Sequence, residues 1–195
     1  MNLTEHVQQT FIDSARIIES AAAVLSEPIA LAAERMVATL LNDGKILACG
    51  NGGSGADANL FASTLINRYE RDRPGLAAIT LTHATATLTS IANDYDYSLV
   101  FARQVAALGN PGDILLAIST SGNSRNVIEA VQTAHEKELV VIALTGRSGG
   151  DLAEILSDGD VLICVPEDVV ARIRETHLLA IHCLCDSIDY LLLGA

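Results

Sequence analysis

The sequence predicts an α/β fold, a doubly wound parallel sheet of five strands flanked by helices. Short apolar runs alternate along the chain with longer segments in which apolar residues recur every three or four positions, as expected for strands that alternate with helices. The short runs are apolar throughout, which is typical of parallel strands covered on both faces. Polar or glycine-rich turns follow several of these runs, where a strand would end and a helix would begin.

The first 43 residues have helical spacing and predict two helices, the second of which begins at Pro28. The five strands are predicted at about 45–49, 75–81, 113–118, 139–144 and 160–165. Helices are predicted at about 56–69, 127–136 and 168–193. The last helix carries an apolar stripe that is longer than the end of a monomer needs, so we expect it to pack between subunits together with the N-terminal helices.

The composition predicts one soluble domain. Of its 195 residues, 50% are hydrophobic and 18% are charged, which favours a single unit with a helical arm at about 1–43 and an α/β core at about 44–195. The net charge of -12 argues against nonspecific binding to nucleic acid or anionic lipid. Four cysteines in apolar contexts favour a reducing compartment, and we identify neither a signal peptide nor a membrane span. We therefore expect a cytoplasmic protein.

Two polar loops are the candidates for ligand binding, Gly50–Ser54 after the first predicted strand and Ser119–Ser124 after the third. Ligands of an open parallel sheet bind beyond the carboxyl ends of its strands, so we expect the two loops to meet. The glycines let backbone amides approach a ligand at the positive end of a helix, and the hydroxyls of the second loop can donate to phosphate oxygens. Neither loop matches a dinucleotide or ATP fingerprint.

A structural interpretation competes with the binding one in each loop. Ser54 and Asp57 have the spacing of a capping box, so Ser54 could satisfy only the first amides of its own helix. The two interpretations stay open for Ser54. For Ser119–Ser124 we favour phosphate binding over capping, because the cluster of hydroxyls offers more donors than a cap requires.

In these loops and beyond them, the chain resembles the sugar isomerase (SIS) domain and, within it, the phosphoheptose isomerases. The matching motifs are Leu47-Ala-Cys-Gly-Asn-Gly-Gly-Ser54, Asn67-Arg-Tyr69, Arg73-Pro-Gly75, Ala92-Asn-Asp94, Gly112-Asp-Ile-Leu-Leu-Ala-Ile-Ser-Thr-Ser-Gly-Asn-Ser124, Leu144-Thr-Gly146 and Ala171-Arg-Ile173. The resemblance implies a homotetramer that binds a phosphosugar such as sedoheptulose 7-phosphate near subunit interfaces. The substrate-binding positions that it implies are Asn51, Gly52, Gly53, Ser54, Arg68, Asp94, Ser119, Thr120, Ser121 and Ser124.

The resemblance also implies zinc, held by a His and a Glu on the helix after the glycine loop and by a Gln and a His on the last helix. Here these positions are Leu60, Thr64, Arg174 and His182. Leucine cannot bind a metal, threonine cannot accept a proton near neutral pH, and arginine offers only donors. We therefore predict no metal and no cofactor, with zinc only in a rearranged site. His182 remains as the candidate catalytic residue, and Arg174 as a further anion-binding residue.

The neighbouring polar residues have structural interpretations. Asp57 would be occupied in capping, and His177 lies on an apolar stripe, where a packed histidine is the more common arrangement. Cys183 and Cys185 point in different directions from His182 around one helix, so we interpret both as core residues and not as zinc ligands.

Intact phosphate loops beside a depleted catalytic set predict a phosphosugar-binding protein that is noncatalytic or weakly active. Local runs such as Leu65–Arg68 and Cys183–Asp186 also resemble the DnaA initiator-associating proteins, which suggests a scaffold for the replication initiator DnaA. The alternative is an active sedoheptulose 7-phosphate isomerase, an aldose–ketose isomerase that makes D-glycero-D-manno-heptose 7-phosphate for lipopolysaccharide. It would use His182 as a proton carrier and Asp94 or Glu175 as the acidic group. A sugar-phosphate sensor is a third hypothesis.

Overall fold

The computed structural model describes residues 2–194 and places a five-stranded parallel sheet between two layers of helices. The strands are β1 (Ile46–Gly50), β2 (Ala78–Thr80), β3 (Ile114–Ser119), β4 (Val140–Gly146) and β5 (Val161–Val165). Their order in the sheet is β2-β1-β3-β4-β5, and every neighbouring pair is parallel. The predicted fold class is therefore confirmed.

The helices are α1 (Leu3–Leu41), α2 (Gly52–Ile66), α3 (Thr85–Asp94), α4 (Ala102–Leu108), α5 (Arg125–Glu136), α6 (Gly150–Glu154) and α7 (Val170–Leu193), with a single 3₁₀ turn at Tyr97–Leu99. Successive residues of β1 are buried in opposite cores: Ile46 packs with residues of α1, α2 and α7, and Leu47 with residues of α4 and α5. Because both faces of the sheet are covered, the strands are apolar throughout and show no alternation.

The N-terminal segment forms one helix of 39 residues, where the sequence predicted two. Pro28 lies inside it, although an interior proline removes a backbone hydrogen bond and costs about 3 kcal/mol. Leu25 and Ile29, on either side of the proline, are buried in the core that α1 shares with α7, and this packing keeps the helix continuous. Among the described residues before Ala21, none is buried, so the first half of α1 is an exposed arm.

The segment between β1 and β3 also differs from the prediction. β2 has only three residues, because Leu76 donates its amide to the Leu65 carbonyl at the end of α2 and does not join the sheet. The helices α3 and α4 were not predicted. In α3 only Ile91 is buried, with Leu88 and Ala92 partly buried beside it, so the apolar stripe of this helix is short.

The last helix, α7, is long and apolar enough by length and composition to cross a membrane. In this fold, however, Ile181, Leu184 and Ile188 pack into the core between α1, α2 and the sheet. A core helix of a soluble protein has the same character, which agrees with the expected soluble protein.

All four cysteines are free thiols. Cys49 and Cys185 are buried on opposite faces of the sheet, and burial raises the pKa of each thiol to about 12. Both thiols are therefore protonated and unreactive at neutral pH, as expected for core residues.

Candidate functional site

The two predicted loops meet at the point where the strand order reverses. After β1 the chain forms β2 on one side and then crosses to β3 on the other, so the carboxyl ends of β1 and β3 flank the switch point of the sheet. Asn51, directly after β1, exchanges two side-chain hydrogen bonds of 2.8 Å with Asn126 at the start of α5. This reciprocal amide pair fixes the glycine loop against the helix that follows the serine loop.

Both helix starts at this point lack a side-chain cap. The glycine loop itself forms the first turn of α2, with Asn51 as an N-cap whose side chain does not bond the helix amides. Ser54 is thus already inside the helix, and the predicted capping box is wrong. Ser124, the N-cap of α5, likewise makes no side-chain cap, because its Oγ lies 3.1 Å from Ser119 Oγ. Two uncapped helix N-termini that point toward one place favour an anion there.

The serine loop is held from behind by α6 and by the turn that precedes it. The Gly122 carbonyl accepts from the Leu152 amide at 2.9 Å, and the Asn123 side chain accepts from the Asp151 amide at 2.9 Å. Gly122 has a φ of +69°, and a Cβ there would lie 1.7 Å from the Gly149 carbonyl oxygen. Only glycine allows this close contact, which keeps the loop in one conformation.

A cleft of about 350 Å³ opens beside the glycine loop, toward the segment between β2 and α4. Asn51, Asn59, Thr82, His83 and Tyr97 contribute its polar groups. The Tyr97 hydroxyl lies 3.4 Å from Asn51 Oδ1, to which it donates, so one wall of the cleft is connected to the amide pair. The size and the mixed polarity of the cleft suit a small polar ligand.

The start of α7 covers the other side of the glycine loop with a positive charge. Arg174 lies directly against Gly53, where a Cβ would be 2.0 Å from the guanidinium carbon. One guanidinium nitrogen is 3.8 Å from Asp57 Oδ1, and the Arg174 side chain is 44% exposed whereas that of Asp57 is 9% exposed. Burial raises the pKa of Asp57, and the charge of Arg174 offsets only part of that effect.

His177 lies one turn further along α7 and is fully buried. Its Nε2 is 2.9 Å from the Thr145 carbonyl, which can only accept, so Nε2 carries the proton and Nδ1 has a free lone pair. Thr145 pairs in register with Ser119, so this histidine lies behind the serine loop. Burial lowers the pKa of His177 to about 4, the Thr145 hydrogen bond opposes this and the Arg174 charge adds to it.

Acid should destabilise the protein through His177. In the unfolded state the His177 side chain has a pKa near 6.5, whereas in the folded state it binds a proton only near pH 4. The free energy of unfolding is therefore highest above pH 6.5 and decreases as the pH falls from 6.5 to 4. At pH 4.5 the loss is about 2 kcal/mol relative to pH 7. Urea unfolding of His177→Gln should show less of this loss than the wild type. The exposed control His6→Gln should lose as much stability as the wild type. An equal loss of stability between pH 7 and pH 4.5 in all three proteins would contradict the prediction.

Several predicted site residues lie away from the loops within one protomer. Arg68 follows the far end of α2, roughly 20 Å along the helix axis from Gly52, and donates to the Tyr69 and Glu70 carbonyls. Asp94 is exposed at the end of α3 and accepts from the Asn93 side chain. These two positions stay predictions for the substrate site.

The predicted catalytic candidates are also separate from the loops. His182 lies roughly 12 Å beyond Arg174 along α7, with its ring centroid 5.9 Å from that of Tyr69. Glu175 pairs with Arg172 at 2.8 Å, which ties it to the side of α7 that faces α1. Within the protomer, neither residue has a neighbour in the loops that would direct it to a bound sugar.

The residues at the zinc positions do not fit zinc. Leu60 and Thr64 offer no metal ligand of the usual kind, and Arg174 is positively charged and has no lone pair for a metal ion. Across residues 2–194 the structure has no group of three His, Cys, Asp or Glu side chains that could hold a metal ion. The donor set therefore gives no support for zinc.

Asp57 is the residue that the sequence interpretation missed as a site residue. It is not used in capping, since α2 begins two residues before Ser54. Its Oδ2 is buried with no hydrogen-bond partner among the described residues. The available signal was the helical spacing of Gly53 and Asp57, four residues apart, which puts the carboxylate directly below the glycine loop on one helix face.

Comparisons with known proteins identify the family of this fold. The family model described as "SIS domain" matches residues 10–146. A protein named phosphoheptose isomerase from Aromatoleum aromaticum is 62% identical over 194 residues, which cover 100% of this chain and 98% of that protein. A solved phosphoheptose isomerase from Neisseria gonorrhoeae is 53% identical with a TM-score of 0.92, covering 96% of this chain and 99% of that one. Another from Francisella tularensis is 48% identical with a TM-score of 0.94, covering 97% and 99%.

These relatives contradict the interpretation as a noncatalytic scaffold that associates with DnaA. Over the whole length of the chain, the similar proteins carry the name of an enzyme. That interpretation rested on the loss of three familiar side-chain types, at Leu60, Thr64 and Arg174. A buried carboxylate next to a guanidinium remains beside the glycine loop.

Proposed function

The chain belongs to the SIS domain family and, within it, to the phosphoheptose isomerases, and we propose from this that it is an active isomerase of sedoheptulose 7-phosphate. The product would be D-glycero-D-manno-heptose 7-phosphate, a precursor for lipopolysaccharide, made in the cytoplasm. The observation that carries the proposal is the convergence of two uncapped helix N-termini at the switch point of the sheet.

The loops would bind the phosphate. A phosphate dianion is favoured at helix N-termini, where unpaired amides and the helix dipole act together, and hydroxyl donors strengthen the contact. The residues that we assign to this role are Asn51, Gly52, Gly53, Ser54, Ser119, Thr120, Ser121 and Ser124.

The reaction needs no redox cofactor, because a ketose and its aldose differ only in the positions of two hydrogens. A base must take a proton from the carbon next to the carbonyl, and a positive group must stabilise the charge that develops on the carbonyl oxygen. Zinc, when bound in a site of suitable donors, supplies such a charge. Here Arg174 is the cation that lies against the glycine loop.

The active form would be a homotetramer. Leu3, Val7 and Phe11 on the arm of α1, and Leu178 and Leu179 on α7, are exposed apolar side chains of a kind that subunit contacts usually cover. Arg68 and Asp94 would then reach the sugar of a neighbouring protomer. A molar mass by light scattering equal to one 20.5 kDa chain would contradict this arrangement, and four times that mass would support it.

The loss of the Ser124 hydroxyl tests the phosphate site. We expect Ser124→Ala to raise KM for sedoheptulose 7-phosphate by roughly tenfold to a hundredfold, because a hydrogen bond to a charged group contributes about 1.5–3 kcal/mol. The measurement is steady-state isomerisation with chromatographic separation of the two heptose phosphates.

Ser157→Ala is the matched control, because Ser157 is exposed and lies away from the loops. Its backbone amide donates to the Asp160 carboxylate, next to the amino end of β5. This control should keep the wild-type KM. An unchanged KM in Ser124→Ala would remove the serine loop from the phosphate site, and a wild-type protein without turnover would refute the proposed function.

A further inference from the structure

The Asp57 carboxylate below the glycine loop has a buried oxygen without a hydrogen-bond partner in the part of the chain that the structure describes. Such atoms are rare, because each costs about 1–3 kcal/mol unless a ligand or water satisfies it. Among residues 2–194 five side chains have one, and Asp57 Oδ2 belongs to the side chain that faces Arg174. The others belong to Arg35, Thr145, His177 and Asp189. An unsatisfied carboxylate oxygen at this place indicates a site that is completed by a bound molecule.

Arg174 covers this place. Its guanidinium occupies the space that a side chain at Gly53 would fill, and it faces Asp57 at 3.8 Å, which is too long for a hydrogen bond. The pair is therefore loose, and the exposed guanidinium can turn toward a substrate oxygen. That movement would uncover the buried carboxylate beneath it.

The residues at this place cannot form the usual metal site, and the Arg174 guanidinium provides a positive charge there instead. Arginine presents a permanent cation with several donors in one plane, which can bind a carbonyl or enolate oxygen directly. A carboxylate held in a poorly solvated site is a stronger base than one in water. The two side chains thus supply the two groups that the isomerisation requires.

We propose that Arg174 takes the place of a metal ion and that Asp57 takes and returns the substrate proton, an inference that rests on the isomerase function proposed above. Asp57 Oδ2 removes a proton from C1 of the ketose. The C1–H electron pair forms the C1=C2 bond, and the carbonyl electron pair moves to O2, where Arg174 stabilises the negative charge.

The second half of the reaction reverses these changes on the other carbon. The O1 proton moves to O2, the C1=O bond forms, and the electrons of the C1=C2 bond take the proton from Asp57 at C2. The product is the aldose, and Asp57 is again a carboxylate. Atoms and electrons balance within the substrate, so no metal, oxidant or reductant is consumed.

Two conservative variants separate these roles. Asp57→Asn keeps the shape of the side chain but cannot accept the proton, so kcat should fall by about 10²- to 10⁴-fold. Arg174→Gln removes the cation and should lower kcat by about 10²- to 10³-fold. Asp186→Asn is the control on the same helix and should keep the wild-type kcat, because Asp186 is exposed and lies roughly 18 Å along the helix axis from Arg174.

Two further readouts do not depend on turnover. The protein as purified should contain less than one equivalent of zinc per tetramer by elemental analysis, and treatment with a chelator should leave kcat unchanged. Deuterium from D₂O should enter the C1 and C2 positions of the substrate with wild-type protein and not with Asp57→Asn. Affinity for inorganic phosphate, measured by calorimetry, should be the same in both proteins, which shows that the variant is folded.

The outcomes distinguish this inference from the proposed function. Turnover that requires added zinc, or an Asp57→Asn protein with wild-type kcat and deuterium exchange, would overturn the roles of Arg174 and Asp57 while the isomerase function stands. A wild-type protein without turnover, with or without added zinc, would overturn both. Metal-independent turnover that is lost in Asp57→Asn and Arg174→Gln supports the inference.

Discussion

Asp189→Ala is expected to lower the free energy of unfolding by about 3–5 kcal/mol, because it leaves the Arg73 guanidinium charged and buried without its partner. Asp189 Oδ1 lies 2.5 Å from Arg73 Nε, and both side chains are almost fully buried. Arg73 also donates to the Leu65 and Thr64 carbonyls at the end of α2. The pair therefore holds α2 and α7 together, the two helices that carry Asp57 and Arg174.

Urea unfolding measures this effect, with Asp186→Ala as the control. Asp186 is exposed one turn earlier on the same helix, and its loss should change stability by less than about 0.5 kcal/mol. If Asp189→Ala proves too unstable to purify, the double variant Arg73→Met/Asp189→Leu should recover part of the stability, since it removes both charges. A single variant as stable as the control would contradict the assigned role of the pair.

Gly122→Ala is expected to lower kcat/KM by about 10²-fold, because it displaces the serine loop, to which we assign the binding of phosphate. The added methyl would lie 1.7 Å from the Gly149 carbonyl oxygen, so either the loop or the turn that supports it must move. The positive φ of this residue also costs about 1–2 kcal/mol for an L-amino acid.

Gly112→Ala separates the two effects. Gly112 has a φ of +85° but open space around a Cβ, so its replacement brings the same kind of backbone strain without the steric conflict. We expect this control to lose stability and keep its kcat/KM. If both variants lose activity equally, or if Gly122→Ala keeps wild-type kcat/KM, the loop is not held as described.

The sequence was sufficient to predict the sheet and the edge at which the two polar loops meet. β1, β3 and β4 are apolar on both faces, and each is followed by a polar turn, so their type and their common edge could be predicted from the pattern alone. The continuity of α1 through Pro28 could not, because it depends on packing against α7. The helix α3 was not predicted either, because its apolar stripe of Leu88, Ile91 and Ala92 is short.

The error at Asp57 has a similar physical origin. A capping box depends on the residue at which a helix begins, and patterns locate this only to within a few residues. A shift of the N-cap from Ser54 to Asn51 changes Asp57 from a capping group into a side chain that faces α7. Its partner Arg174 is 117 positions away in the sequence, so no local pattern indicates that the two meet.

The most direct test follows the substrate itself. Sedoheptulose 7-phosphate labelled with ¹³C at C2 is incubated with metal-depleted protein and observed by NMR. The ketose signal should decline while the aldoheptose signal grows to a constant ratio, and the same ratio should be reached when the reaction starts from the aldoheptose. A ketose signal that stays unchanged, even with equimolar protein and with zinc restored, would contradict the assignment of isomerase activity to this chain.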